Sequence, residues 1–182
     1  YSTAMGSYTT ASGTASAAMG SGTIASGNSS TATGYFTTAS GSRSTAMGRS
    51  TTASDYASTV IGQYNSSGSS ATSYTSADSF STSAPAFVIG NGTDSSNKSD
   101  AFKVMFNGDT TVGGDITISS DARLKSNIVS LGSTLSKLLL IDGKSYEKDG
   151  KQRIGVLAQE IQEVFPELVT EDGNEMLAVN YQ

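Results

Sequence analysis

Gly6, Gly20, Gly34, Gly48 and Gly62 recur every 14 residues, and two positions before each stands a small residue: Ala4, Ala18, Ala32, Ala46 or Val60. Halfway between lie Ala11, Ala25, Ala39 and Ala53, followed two positions later by Gly13, Gly27, Gly41 and then Asp55. The unit is a seven-residue small-x-Gly pattern, doubled. Such regular self-similarity marks stacked supersecondary units. Alanine held at one phase implies a site crowded by its neighbours. Glycine two residues on implies a positive φ or a close approach of backbone. The Ser/Thr stretches between them, such as Ser7-Tyr8-Thr9-Thr10 and Tyr35-Phe36-Thr37-Thr38, favour extended structure when stacked. The predicted coil has two short strands and two Gly bends, which is a compact β-solenoid. Stacking sets a rise of roughly 4.7–4.9 Å per coil, so about four to five coils make a block on the order of 20 Å tall.

A tract this rich in Ser, Thr, Ala and Gly and this poor in charge would ordinarily be a disordered linker, but the fixed phase argues against that. Few large residues are available to fill a core. Met5, Met19, Met47 and Ile61 sit between the phased small residue and the glycine, where they suit a seam between chains. A solenoid so thin is expected to gain buried surface by association. Over residues 1–65 the phasing resembles the head repeats of YadA-like trimeric autotransporter adhesins, which implies a trimeric left-handed parallel β-roll. An ice-binding solenoid is a further alternative for a Thr-rich array, weakened by threonines that shift between positions.

The chain has 16 acidic and 11 basic residues, a net charge of −5, and only Arg43 and Arg49 as basic residues before Lys98. No basic stripe exists to displace counterions from phosphates, so nucleic acid is excluded as a partner. No apolar run reaches the roughly 18 residues needed for a membrane span. There is no Cys and no His. Disulfides, thiolate zinc sites, Cys nucleophiles and Ser-His triads are excluded by inventory, and no cofactor or metal is expected. Before Asp100 the acids are Asp55, Asp78 and Asp94, with no pairing of glycosidase type.

After Gly62 the repeat is expected to fade through Ser66-Ser67-Gly68-Ser69-Ser70, opening a β-rich fibre connector over 66–118. Strands are predicted at Ala86-Phe87-Val88-Ile89-Gly90 and Asp100 to Phe106, with Asn107-Gly108-Asp109 as a turn and a last strand running from Thr110 to Ile118. Phe87, Phe102 and Phe106 supply bulk that the repeat lacks, consistent with a short intertwined β-segment.

From Ser119 the composition turns to that of a small α/β unit, residues 119–182. A helix is predicted from Ser130 to Leu140, with Leu131, Leu135, Leu138 and Leu139 at helical spacing. A hairpin follows across Asp149-Gly150, joining residues 144–147 to 153–157. A second helix runs from Ala158 to Phe165 and stops at Pro166. A second hairpin turns at Asp172-Gly173.

In this region "SDARLKSNI", "GVLAQEIQEVFPELV" and "LAVNYQ" resemble, in order and spacing, the intramolecular chaperone domain of phage endosialidases, tail spikes and tail fibres. The resemblance implies a domain that trimerises, guides folding of the β-fibre before it and then cuts itself off. Carried over by motif, it makes Ser120 the nucleophile, Lys125 the general base and Ser119-Ser120 the cleaved bond. Asp121 and Arg123 would hold local geometry, and Gln159 and Glu160 would be structural or intersubunit. Inventory agrees, because a hydroxyl nucleophile in a chain without His or Cys needs another base, and a desolvated lysine can serve. Family members usually continue past "NYQ" into a helical stalk, so the domain is expected to be truncated here.

The overall expectation is a mainly β homotrimer from a virion or tail-like particle, engaging a host-surface glycan or protein and bound to baseplate or tail proteins. Tyr8, Tyr35, Phe36 and Tyr56 are candidate recognition residues, although regularly spaced aromatics also serve packing. The alternative is a bacterial surface adhesin with the same terminal domain, located on the cell surface.

Overall fold

The computed structural model describes residues 1–73, 76–148, 150–171 and 175–180. Two compact units are present, Tyr1–Ile116 and Thr117–Gln182. The turn expected at Asp172-Gly173, Asp149 of the first hairpin turn, and the final Tyr181 and Gln182 lie outside the described residues.

The first unit is the solenoid. Five-residue strands β1 (Thr3–Ser7), β3 (Ala17–Ser21), β5 (Thr31–Tyr35), β7 (Thr45–Arg49) and β9 (Thr59–Gln63) alternate with two-residue strands β2 (Thr10–Ala11), β4 (Ile24–Ala25), β6 (Thr38–Ala39) and β8 (Thr52–Ala53). Each set stacks in parallel, in register with the 14-residue repeat: Ala4 pairs Ala18, Ala18 pairs Ala32 and Ala32 pairs Ala46. The phased alanines are the core, with Ala18, Ala25, Ala32, Ala39, Ala46, Ala53 and Val60 fully buried. A methyl contributes only about 0.8 kcal/mol, against roughly 1.5–3 for a buried Leu or Phe, so this core is weak for its length. Beside it runs a second buried ladder at the same period, Ser16, Thr23, Ser30, Thr37, Ser44, Thr51 and Ser58. Several of these hydroxyls fasten the corners, as where Ser16 Oγ donates to the Gly13 carbonyl at 2.7 Å and Ser58 Oγ to the Asp55 carbonyl at 2.7 Å.

Every seventh residue turns a corner in the left-handed region: Tyr8, Ala15, Gly22, Ser29, Phe36, Arg43, Ser50, Ala57 and Tyr64 all have positive φ. Glycine is required elsewhere, at the end of each long strand. A Cβ at Gly6, Gly20, Gly34 or Gly48 would fall on the carbonyl oxygen of the next glycine in the ladder. Threonines align over part of the ladders, where Thr31, Thr45 and Thr59 stack on the long sheet and Thr38 on Thr52 on the short one, but Ala17 and Ile24 interrupt the two rows, as expected of threonines that shift between positions.

The repeat does not fade into the segment that follows; it is interrupted and resumed. Strand β10 (Pro85–Asn91) pairs parallel to β9 with Val88 on Val60, Ile89 on Ile61 and Gly90 on Gly62. The two Val-Ile-Gly triplets are 28 residues apart, two periods, so the chain leaves the ladder and rejoins it in phase. β11 (Asp100–Met105) and β12 (Thr110–Val112) then extend the same sheet antiparallel. β12 stops well short of Ile118, because Gly113-Gly114 follow and Ile116 and Ile118 remain exposed.

The excursion between β9 and β10 closes the open end of the short sheet. Thr52 N donates to Asn65 Oδ1 at 2.8 Å, and Asn65 Nδ2 donates back to the Thr52 carbonyl at 2.9 Å. One side-chain amide thus does what a further strand would do, and the edge is capped. Asp100 fixes the following bend by accepting from Ser66 N and Ser67 N, both at 2.8 Å. Asp55, which replaces the glycine of earlier coils, is buried and accepts at Oδ1 from Thr72 N, Thr72 Oγ1 and Ser76 Oγ at 2.8, 3.0 and 2.7 Å.

The second unit is small and open. It contains a 3₁₀ turn at Ala122–Leu124, helix α1 (Leu135–Leu138), hairpin β13 (Lys144–Lys148) with β14 (Lys151–Gly155), helix α2 (Ala158–Val164), and hairpin β15 (Val169–Glu171) with β16 (Leu177–Val179). The predicted helix over 130–140 is reduced to one turn. Its leucines stay largely exposed: Leu131, Leu135, Leu138 and Leu139 are 77, 69, 52 and 76% exposed. Only Ile161, on α2, is a fully buried apolar side chain among the described residues of this unit. Among the described residues no helix is long and apolar enough to cross a membrane.

Candidate functional site

The segment 119–125 is organised by Asp121. It caps the 3₁₀ turn, its Oδ1 accepting from Arg123 N at 2.9 Å, in the usual manner of an N-cap aspartate. The Arg123 side chain folds back onto the same carboxylate, with Nη2 donating to Oδ2 at 2.7 Å and Nε to Oδ1 at 3.1 Å. The guanidinium first, and the backbone N–H second, hold the Asp121 carboxyl below the usual aspartate range, and the pairing raises Arg123 in return.

The turn has a geometric consequence. An extended run of five residues would span roughly 17 Å. Here Leu124 N donates to the Asp121 carbonyl at 3.0 Å and Lys125 N to the Ala122 carbonyl at 3.1 Å. The chain doubles back, and Lys125 Nζ donates to Ser120 Oγ at 2.7 Å. The sequence-predicted nucleophile and base are therefore in direct contact, and Asp121 and Arg123 supply the turn between them. Ser119 lines an open groove on the surface with Asp121, Arg123 and Leu124. All of these side chains are exposed in the single chain.

Gln159 and Glu160 belong to a different cluster. Glu160, on α2, accepts from Lys144 of β13 at 3.1 Å, and Lys144 also reaches Asp142 Oδ2 at 2.7 Å. The two carboxylates, Asp142 foremost, hold the Lys144 ammonium above its ordinary value. Glu160 thereby ties the helix to the hairpin, whereas Gln159 is exposed beside Tyr146 and Leu157.

The sequence put the leucines of 131–140 at helical spacing without assigning what they pack on; in the structure they form an exposed surface. Leu131, Thr134, Leu138, Phe165, Glu167 and Leu168 line an apolar groove, with Lys137 Nζ over the Phe165 ring at 5.4 Å. The helical spacing of the leucines was the signal for this surface. Among the described residues no three His, Cys, Asp or Glu side chains converge on a metal position.

Comparison with known proteins adds to this geometry. The family model described as Chaperone of endosialidase matches residues 120–170. The YadA head domain repeat matches residues 1–23, 11–37 and 39–65. The long tail fiber protein Gp37 of Escherichia phage AR1 is 34% identical over 79 residues, covering 37% of this chain and 7% of the relative. The chain thus spans a small fraction of that relative's length. No solved structure matches. The chain therefore joins two segments of known type, YadA-like head repeats within residues 1–65 and a chaperone-of-endosialidase segment over residues 120–170.

Proposed function

We propose that this chain is part of a trimeric tail-fibre protein of a phage or tail-like particle, and that its C-terminal segment is an intramolecular chaperone that releases itself by cutting Ser119-Ser120. The contact of Lys125 Nζ with Ser120 Oγ at 2.7 Å is the observation that carries the cleavage reading. The tail-fibre relative and the two family matches support the setting in a virion.

The chemistry follows from the placement of the hydroxyl. Ser120 Oγ and the Ser119 carbonyl carbon are separated by a path that closes a five-membered ring. A neutral Lys125 amine accepts the Ser120 hydroxyl proton, and Oγ attacks the Ser119 carbonyl carbon. The C–N bond breaks as the lysine returns its proton to the Ser120 nitrogen, leaving an ester to Oγ and a free α-amine. Water then hydrolyses the ester, giving a Ser119 carboxylate and restoring the hydroxyl. A lysine acts as a base only when desolvated, and Lys125 is exposed in the single chain. Packing of chains in the trimer supplies the missing desolvation, which couples cutting to assembly.

Trimerisation draws on two exposed apolar surfaces. One is the leucine surface of 131–140. The other is the mid-strand row Met5, Met19 and Met47, 59, 41 and 43% exposed. Host-surface recognition and attachment to baseplate or tail proteins complete the reading. A second reading, a bacterial trimeric surface adhesin ending in the same segment, draws on the YadA head match. Genes for sheath and baseplate beside the full-length gene favour the fibre; a downstream membrane anchor favours the adhesin.

Intact-mass measurement of freshly folded protein tests the cleavage. Wild type is expected to separate into two fragments at Ser119-Ser120. Ser120→Ala, Lys125→Ala and Lys125→Arg should each stay whole and still assemble, the arginine because its guanidinium remains protonated. A single uncut wild-type mass overturns self-cleavage.

A further inference from the structure

The bond proposed for cleavage has all of its chemical groups on one side. Ser120, Lys125 and the turn that joins them lie C-terminal to the Ser119 carbonyl. So do Asp121 and Arg123, which cap and fasten that turn. The hydrogen bonds that close it, from Leu124 N to the Asp121 carbonyl and from Lys125 N to the Ala122 carbonyl, also fall within this side. Nothing that brings Lys125 Nζ to Ser120 Oγ at 2.7 Å is lost when that bond is cut. What is lost is Ser119, which lines the open surface groove together with Asp121, Arg123 and Leu124. Cutting therefore opens the groove beside an intact hydroxyl and base. It also adds a group, the α-amine of Ser120, on the carbon adjoining the one that bears Oγ.

We propose that the released chaperone is an acyl-transfer enzyme for small esters and thioesters, with Ser120 as its nucleophile and Lys125 as its base. The acyl group takes the place that Ser119 vacates. Leu124, 70% exposed, offers it an apolar wall. Arg123 and Asp121 neutralise each other at 2.7 Å, so the groove holds no free counter-charge and suits a short, uncharged acyl group. The assembled protein supplies the desolvation that a lysine base needs, as it does for the first cut.

The step balances as the reverse of cleavage followed by cleavage again. Lys125 takes the Ser120 hydroxyl proton, Oγ bonds to the acyl carbon, and the alcohol or thiol leaves with that proton. The ester so formed has two exits. Water hydrolyses it to a carboxylic acid and the free hydroxyl. Otherwise the α-amine attacks through a five-membered ring, Oγ regains a proton from the amine, and an amide remains. That amide is the kind of linkage that joined Ser119 to Ser120, so the same pair cuts it again. Either exit returns the free serine, and the sum is ester plus water giving acid plus alcohol.

This activity rests on the cleavage reading but differs from it in kind, because self-cleavage happens once per chain and acyl transfer turns over. The cleaved wild-type mixture, unseparated, is given p-nitrophenyl acetate, and nitrophenol release is followed beside intact mass. Release is expected over many turnovers, about a hundredfold faster than by uncut Ser120→Ala protein. In the steady state an acetyl group is expected on the peptide that begins at Ser120. Periodate oxidises an N-terminal serine and leaves internal ones alone, which separates this site from surface lysines. Brief treatment should abolish fast release in the cleaved protein and leave the slow release by Ser120→Ala unchanged. Equal rates in the two proteins, or fast release that survives periodate, overturn the proposal while fragments at Ser119-Ser120 keep the cleavage reading. An uncut wild-type mass overturns that reading and this activity with it.

Discussion

At Gly48 an added methyl would meet the Gly62 carbonyl oxygen, and the φ of +115° is one that other residues rarely adopt. Neither neighbour can move, because both are backbone atoms in the ladder. Gly48→Ala is expected to destabilise the head by about 3 kcal/mol or more. At Gly68 the nearest atom to such a methyl is 3.8 Å away and φ is +71°. Gly68→Ala should cost about 1 kcal/mol, the left-handed strain alone. Thermal unfolding of the two variants gives the comparison. Asp121 makes a prediction in pH. Its folded pKa is depressed by Arg123, so its contribution to the turn is present above the ordinary aspartate value and is lost as pH falls through the lower folded value. The Arg123 amide resonance should titrate with a midpoint below that of an unstructured aspartyl peptide, and Asp121→Ala should abolish the transition.

Among the elements, β8 tests whether a side chain can end a sheet. Asn65 is buried and makes three bonds, to Thr52 N, the Thr52 carbonyl and the Ser67 carbonyl. Asn65→Ala leaves the Thr52 groups without partners and should cost about 1–3 kcal/mol. Hydrogen exchange at the Thr52 amide should quicken by more than the global change in stability accounts for. The solenoid itself was legible because its constraints are local. Alanine at 18, 32 and 46 and glycine two residues on report a crowded core and a close carbonyl, and both are visible in spacing. Less legible was the return of β10, since one interrupted coil hides the 28-residue step from Val60-Ile61-Gly62 to Val88-Ile89-Gly90. The predicted helix over 130–140 failed for a different reason. Helical spacing of leucine reports burial, but in the single chain nothing buries them, so only Leu135–Leu138 coils. At the site, the Ser120 and Lys125 pairing was readable by motif resemblance. The reason for their contact, a turn capped by Asp121, needed the coordinates.

The two units of the whole molecule are unequally furnished. The head has an alanine core and a continuous backbone ladder, whereas the C-terminal unit has one buried apolar side chain among its described residues and a surface of leucines. Exposed apolar area on this scale marks an interaction surface. Assembly of three copies is thus the claim on which the proposed folding of the second unit and the proposed release of the chaperone both depend. Native mass spectrometry of Ser120→Ala protein, in which the proposed cleavage is blocked, tests it most directly. The account predicts a single species of about three times the 18.6 kDa chain mass, stable on dilution. A folded monomer of 18.6 kDa would contradict it.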